Sequence, residues 1–211
     1  MKGLILKDLY NVINNLGPAL ITTICVGLLL MIKGNPSLFV VGFAIAGGGI
    51  CSTCMRMDET AQWTKYELIT PISRVMIVME KFVLLFMLTI TGLFIGGGVS
   101  YIAGIMTATF NMENFMMYVA VAFSISMISG SFIIFFLFKY GMFKADFFIM
   151  ICYIVPVALF ICWLMVLRYL GMNYMQGFSY ITITYIFPLV AILMAFLMAM
   201  ATVKVYKKKQ F

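Results

Sequence analysis

Six apolar segments of the chain are long enough to cross a lipid bilayer. A bilayer core about 30 Å thick is crossed by roughly 17–25 apolar residues in helical conformation. Lipid offers the backbone no hydrogen-bond partners, so each segment has to satisfy its own backbone polar groups, as a helix does. The sequence therefore predicts an all-α integral membrane protein in which residues 1–211 form one transmembrane domain. Its six transmembrane helices lie near residues 16–32, 38–55, 82–105, 115–138, 147–167 and 180–203.

Composition and charge place this domain in the membrane and orient it. The chain is 64% hydrophobic and 10% charged, which leaves too little polar surface for a soluble globule. Basic residues collect on the side of a membrane that is not translocated. With both termini inside, only Lys33 and Arg168 of the 14 lysines and arginines lie outside. We therefore expect a multi-pass protein of a bacterial plasma membrane with both termini cytoplasmic.

The formal net charge of +7 also bears on the partners of the chain. Its basic residues follow the membrane edges instead of forming a basic domain, so a nucleic acid is not an expected partner. Anionic lipid headgroups of the inner leaflet are the expected partners of this charge.

The N-terminal segment, residues 1–15, has an amphipathic pattern. At 100° per residue its polar side chains share one sector of a helix, and apolar side chains occupy the rest. This pattern predicts an interfacial helix along the inner leaflet, ahead of the first span. The alternative is a helix that only lengthens that span. The polar sector comprises Lys7, Asp8, Asn11, Asn14 and Asn15.

Residues 56–81, between the second and third predicted spans, hold a large share of the charge. Asp58 is expected to be the N-cap of a short helix that ends at Leu68. Thr70 and Pro71 are expected to begin a second helix, which runs into the third span. The segment is thus predicted to be a rigid cytoplasmic elbow. The alternative is a solvated connector whose charges only orient the protein in the membrane. Orientation needs only lysine and arginine, whereas this segment also carries acidic and aromatic residues.

Several kinds of chemistry are missing from the sequence. The chain has no histidine and no GxxxxGK[ST] phosphate loop, so it lacks the usual residues for nucleophilic catalysis and for binding ATP. The predicted spans contain no ionisable side chain at membrane depth, which disfavours transport driven by an ion gradient. The cysteines of "CSTC" at 51–54 are expected to be packing residues. The chain is therefore not expected to be an enzyme by itself.

The order of three sequence stretches resembles the permease subunits of the ABC type-2 transporter family. These stretches are "MKGLILKDLYN", "MDETAQW" and "ITPISRVMIVMEKF". In that family the turn between the second and third spans is a coupling helix that docks in a groove of a separate ATPase. The resemblance implies that ATP and magnesium bind to that partner and that this chain carries no cofactor. It also implies two ATPase copies and a second permease copy or a paralogue.

The resemblance also assigns roles to residues of the 56–81 segment. It implies a docking surface and a group that shapes the return of the chain toward the third span. The docking surface comprises Asp58, Glu59, Trp63, Tyr66 and Glu67, and the return comprises Pro71, Ser73 and Arg74.

The substrate expectation combines this resemblance with composition. Small bacterial members of the family resemble exporters of amphipathic peptides, including phenol-soluble modulins and antimicrobial peptides. Twenty methionines and twenty phenylalanines can form adaptable apolar walls for such cargo. We therefore expect peptide export. The alternatives are export of hydrophobic drugs or lipids and a non-transporting membrane scaffold or sensor subunit.

Two glycine triplets lie inside predicted spans, at residues 47–49 and 96–98. Small residues allow helices to approach closely within a membrane. The triplets are therefore expected to serve helix packing, and the alternative is a role as backbone hinges.

Overall fold

The computed structural model describes residues 3–4, 6–13, 17, 21, 37–63, 73–108, 110–169 and 182–208. These residues are almost entirely helical, and no strand occurs among them. The first helical segment, α1, covers residues 6–13. The elements that follow are α2 (Leu38–Thr60), α3 (Arg74–Met106), α4 (Met112–Tyr140), α5 (Met142–Tyr169), a π-helical turn (Thr182–Ile186) and α6 (Phe187–Lys208).

Four helices of the described part are long and apolar enough to span a membrane: α2, α3, α4 and the continuous segment Thr182–Lys208. They match four of the predicted spans, so the all-helical membrane fold is confirmed. The helix α5 contains a shorter apolar stretch, Phe148–Cys162. The predicted first span, 16–32, lies almost wholly outside the described residues, so the full set of six spans stays a prediction.

The helices α2 and α3 are packed closely together through glycine. A Cβ atom added at Gly47 would lie 2.5 Å from the backbone oxygen of Leu88. One added at Gly92 would lie 2.6 Å from the backbone oxygen of Phe43, and one at Gly96 would lie 2.8 Å from the Phe43 Cβ. Only glycine allows the two backbones to approach this closely. The expected packing role is thus confirmed for Gly47 and Gly96.

The predicted start of a helix at Asp58 is wrong. The helix α2 continues through Asp58 to Thr60, and Gln62 then has a φ angle of 52°, which interrupts the helical path before Trp63. Glu59 and Trp63 therefore do not share the continuous helix expected from the sequence. The apolar run before Asp58 extends α2, and the Asp58 carboxylate pairs with lysines instead of capping backbone N–H groups.

The predicted start of the next helix at Pro71 is also wrong. Ser73 has extended backbone angles, φ −71° and ψ 142°, and its hydroxyl accepts a hydrogen bond from the Met76 backbone N–H at 3.3 Å. Ser73 is therefore the N-cap, and α3 begins at Arg74. Thr70 and Pro71 themselves lie outside the described residues.

Candidate functional site

Four charged side chains from three elements meet at one end of the helical bundle. The Lys81 Nζ lies 2.6 Å from the Asp8 Oδ2 and 2.7 Å from the Asp58 Oδ2. The Lys7 Nζ lies 2.7 Å from the Asp58 Oδ1 and 3.2 Å from the Asp8 Oδ1. Each lysine thus contacts both aspartates. This ion cluster, formed by Lys7, Asp8, Asp58 and Lys81, joins α1, α2 and α3.

The ion cluster is buried. The side chains of Asp8 and Lys81 are 0% and 4% exposed, and that of Asp58 is 9% exposed. A buried charge is tolerated when its partners neutralise it and satisfy its hydrogen bonds, and the loss of one partner leaves a costly unpaired charge. Two lysines and two aspartates balance one another here. The opposite charges of Asp58 and Lys81, near the two ends of the 56–81 segment, therefore have a structural cause.

The helix α1 turns its polar side toward the protein. Asp8 is buried and Asn11 is half-buried, whereas Leu9 is exposed. The apolar Val12 is buried as well. The sequence pattern located the polar sector, but it did not show which element covers that sector. The covering elements are α2 and α3, which supply Asp58 and Lys81.

The predicted docking residues of the 56–81 segment have different surroundings. Asp58 is buried in the ion cluster, and Glu59, the next residue, is exposed. Trp63 is half-buried, and the Lys7 Nζ lies 4.8 Å from the centroid of its ring. Tyr66 and Glu67 lie outside the described residues, as does Pro71.

The far side of the same segment is attached to the last helix. Arg74 Nη1 donates to the backbone oxygen of Lys207 at 3.0 Å and lies 3.5 Å from that of Tyr206. The last carbonyls of a helix have no partner within the helix, and a cation there also interacts favourably with the helix dipole. The Tyr206 ring packs edge-on against Phe138, with the centroids 5.0 Å apart. The residues at the two ends of the segment between α2 and α3 thus contact α1 and α6, respectively.

A comparison with protein families decides the class of the chain. A family model described as "ABC-2 family transporter protein" matches residues 3–207, nearly the whole chain. The chain belongs to the ABC-2 transporter family. No curated protein and no solved structure matches it. The chain is therefore a permease subunit, the membrane component of an ABC transporter that works with an ATPase partner. The closer resemblance to phenol-soluble modulin exporters stays a prediction.

The middle of this ABC-2 permease contains uncharged hydroxyl groups that form hydrogen bonds. Ser126 Oγ on α4 donates to the Ala44 backbone oxygen on α2 at 2.8 Å and lies 3.1 Å from the Thr89 Oγ1 on α3. Ser124 and Ser129 instead donate to backbone oxygens of their own helix. The Ser126 hydroxyl therefore links three helices, whereas the hydroxyls of Ser124 and Ser129 form hydrogen bonds only within α4.

Cys51 and Cys54 of this permease are packing residues. Cys51 Sγ faces the Lys81 backbone oxygen at 3.8 Å, and Cys54 Sγ faces the Asp8 backbone oxygen at 4.0 Å. Both are free and buried. In the described ranges, no three histidine, cysteine or acidic residues are grouped to hold a metal ion.

Sequence reasoning missed Lys7, Asp8 and Lys81 as members of the site. It treated Lys7 and Asp8 as the polar side of an interfacial helix and Lys81 as a topology signal. The available signal was the position of Lys81 directly before a long apolar run, where an unpaired lysine would be costly. The two aspartates that pair with it lie 73 and 23 positions away in the chain, so their identity needs the fold.

Proposed function

We propose that this permease is the membrane subunit of an ATP-driven exporter in a bacterial plasma membrane. It moves amphipathic peptides out of the cytoplasm or the inner leaflet. ATP and magnesium bind to two separate ATPase subunits, and a second permease copy or a paralogue completes the transporter. Membership of the ABC-2 family supports the transport role, and the absence of a phosphate loop from the sequence supports a separate ATPase.

The attachment of the α2–α3 segment is the observation that carries this proposal. Glu59 and Trp63 lie beside the buried ion cluster, and Arg74 attaches the other side of the segment to α6. A partner that docks at Glu59 and Trp63 would therefore move α1, α2 and α3 together. A solvated connector would need none of these links.

The distribution of charge supports a cytoplasmic position for this end. The contacts of Lys7, Lys81 and Arg74 join α1, the end of α2, the start of α3 and the end of α6, where further lysines follow one another in the sequence. Basic residues are retained on the inner side of a membrane. The ATPase would meet the permease there, and both termini would lie in the cytoplasm.

Peptide export is supported by the character of the membrane-facing surface. Large flexible or aromatic side chains are exposed along α3, α5 and α6, including Phe94, Met150, Met165 and Phe196. Methionine adapts to irregular apolar surfaces and phenylalanine adds a large apolar area, which suits the apolar face of an amphipathic helix. Hydrophobic drugs and lipids would use the same property, so transport has to be measured.

The coupling role is tested by Trp63→Ala in permease reconstituted with its ATPase. A tryptophan anchored at an interface typically contributes about 2 kcal/mol or more, so ATPase affinity should fall roughly 30-fold. ATP turnover stimulated by substrate should fall with it, while membrane insertion stays unchanged. Lys65→Ala, two residues along the chain, is the control and should have a much smaller effect. Wild-type affinity and turnover in both variants would make the segment a connector only.

The same preparation decides the substrate. Inside-out vesicles should accumulate a fluorescent amphipathic helical peptide in an ATP-dependent manner, and Trp63→Ala should abolish the accumulation. Uptake of a hydrophobic dye or a fluorescent lipid without peptide uptake would favour the alternative substrates. No ATP-dependent movement of any of the three would favour a scaffold or sensor role.

A further inference from the structure

Lys7 contacts three partners that belong to different parts of the chain. Its Nζ lies 2.7 Å from the Asp58 Oδ1 and 3.2 Å from the Asp8 Oδ1. The same atom lies 4.8 Å from the centroid of the Trp63 ring. A lysine ammonium within about 6 Å of an indole centroid is attracted by the negative face of the ring. Lys7 therefore connects α1 to Asp58 of α2 and to the predicted docking tryptophan.

The two lysines of the ion cluster have different roles. Lys81 alone already bridges both aspartates, at 2.6 Å to Asp8 and 2.7 Å to Asp58, and is almost fully buried. The Lys7 side chain is 22% exposed and makes the contact with Trp63. The connection of α1 to α2 would thus persist without Lys7. What Lys7 adds is the contact between α1 and the tryptophan.

Trp63 needs such a contact because the backbone before it is not continuous helix. The helix α2 ends at Thr60, and Gln62 adopts a φ angle of 52°. A residue beyond this break is not positioned by the hydrogen bonds of α2. Trp63 is helical again beyond the break. Its placement relative to α1 and α2 therefore depends on contacts outside α2, and the ammonium of Lys7 makes one of them.

We propose that Lys7 is a positioning residue that holds the Trp63 indole against α1 for the ATPase. The inference rests on the proposed coupling role of Trp63 and extends it to the N-terminal helix. ATPase docking at Trp63 would be transmitted through Lys7 to α1 directly, in addition to the route through α2.

A double-mutant cycle in the complete permease tests this role. ATPase affinity is measured for wild type, Lys7→Met, Trp63→Ala and the double variant in lipid nanodiscs. Lys7→Met should weaken binding about three- to fivefold when Trp63 is present, as expected for a cation–π contact. It should have almost no effect in the Trp63→Ala background, because the contact is already absent. Lys7→Arg, which keeps a cation over the ring, should restore most of the affinity.

Lys139 provides a matched control. Its Nζ also lies over aromatic rings, 4.9 Å from the Tyr140 centroid and 5.6 Å from that of Phe135. Lys139→Met should therefore change ATPase affinity equally with and without Trp63. A non-additive cycle for Lys7 and an additive one for Lys139 would support the proposal.

A fluorescence measurement tests the contact without the ATPase. In a Trp163→Phe background, Trp63 is the only remaining tryptophan. Lys7→Met should increase quenching of Trp63 by acrylamide, and Lys7→Arg should not. If Lys7→Met does not fold, Lys7→Gln replaces it, since its amide can still donate to Asp58. Thermal unfolding of each variant separates loss of the contact from general loss of stability.

The outcomes separate the two hypotheses. Equal weakening by Lys7→Met in both Trp63 backgrounds, or unchanged quenching, would overturn the positioning role of Lys7. Wild-type ATPase binding by Trp63→Ala would instead overturn the proposed coupling role and, with it, the transmission of docking through Lys7.

Discussion

The charged end of the bundle and its middle are held together by different means. At the charged end, side chains link elements that are far apart in sequence, as in the Lys81–Asp8 pair and the Arg74–Lys207 contact. In the middle, Gly47 and Gly92 bring the backbones of α2 and α3 together. The charged end therefore depends on directional pairs of groups. The middle depends mainly on the shape of the helix surfaces.

Membrane physics accounts for this difference. Lipid chains are as apolar as leucine, so helices in the bilayer associate through close packing and a few hydrogen bonds. A charge at the centre of a bilayer is costly, whereas one near its edge can be paired or can reach water. The permease accordingly has small residues and hydroxyls in its middle, and ion pairs at its end.

The largest effect is expected from Lys81→Met at the charged end. This change leaves Asp8 without its closest cation and Asp58 with Lys7 alone, and breaking a buried pair costs about 3–5 kcal/mol. We expect a large fall in the thermal unfolding temperature of the permease in nanodiscs.

Glu80→Gln is the matched control for Lys81→Met. Glu80 is the neighbouring residue and is 0% exposed, but neither carboxylate oxygen has a hydrogen-bond partner in the described part of the chain. Glu80→Gln keeps the shape of the side chain and all four members of the ion cluster, so it should cost clearly less stability than Lys81→Met. Equal losses in Lys81→Met and Glu80→Gln would mean that burial, and not pairing, decides stability at this end.

A smaller but distinct effect is expected from Gly92→Ala in the middle. The new methyl group would lie 2.6 Å from the Phe43 backbone oxygen and 3.2 Å from the Ala44 Cα, so α2 and α3 would have to separate. Overpacking of this kind typically costs about 1–3 kcal/mol. Gly98→Ala is the control, because no described atom of a neighbouring helix lies within 4 Å of its added Cβ. Similar unfolding temperatures for the two variants would show that close packing of α2 against α3 at Gly92 does not stabilise the middle of the bundle.

The smallest effect is expected from Ser126→Ala, which removes the hydroxyl that links α2, α3 and α4. Hydrogen bonds between membrane helices average about 0.6 kcal/mol, so the unfolding temperature should fall only slightly. Ser129→Ala removes a hydroxyl that donates within its own helix and should have no measurable effect. A loss from Ser126→Ala as large as that from Lys81→Met would remove the contrast between the two regions.

Much of the architecture was predictable because it depends on local properties of the chain. Apolar runs of sufficient length predict the helices α2, α3, α4 and α6 in lipid, and these helices occur. Glycines inside those runs predicted close packing, which Gly47 and Gly96 provide. Family membership was likewise recognisable from the segments near the N-terminus and before the third span, and the family match confirms it.

The ends of the helices were less predictable because several residues compete for the same role. Thr70 with Pro71 and Ser73 are both acceptable ways to begin a helix, and the structure uses Ser73. Asp58 is a good N-cap by residue type, yet its carboxylate pairs with Lys7 and Lys81. The sequence alone does not show whether an aspartate carboxylate caps nearby backbone N–H groups or pairs with a lysine that only the fold brings close.

The sequence was enough to identify a helical membrane permease whose charges gather near the ends of its spans. Hydropathy and backbone hydrogen bonding act over one or two turns of helix, so both can be read along the chain. The packed fold is needed to show that the polar side of α1 faces α2 and α3, and that Asp8 and Asp58 share Lys81. Ion pairing depends on a few ångströms between residues 73 and 23 positions apart. That separation exists only after the helices have packed.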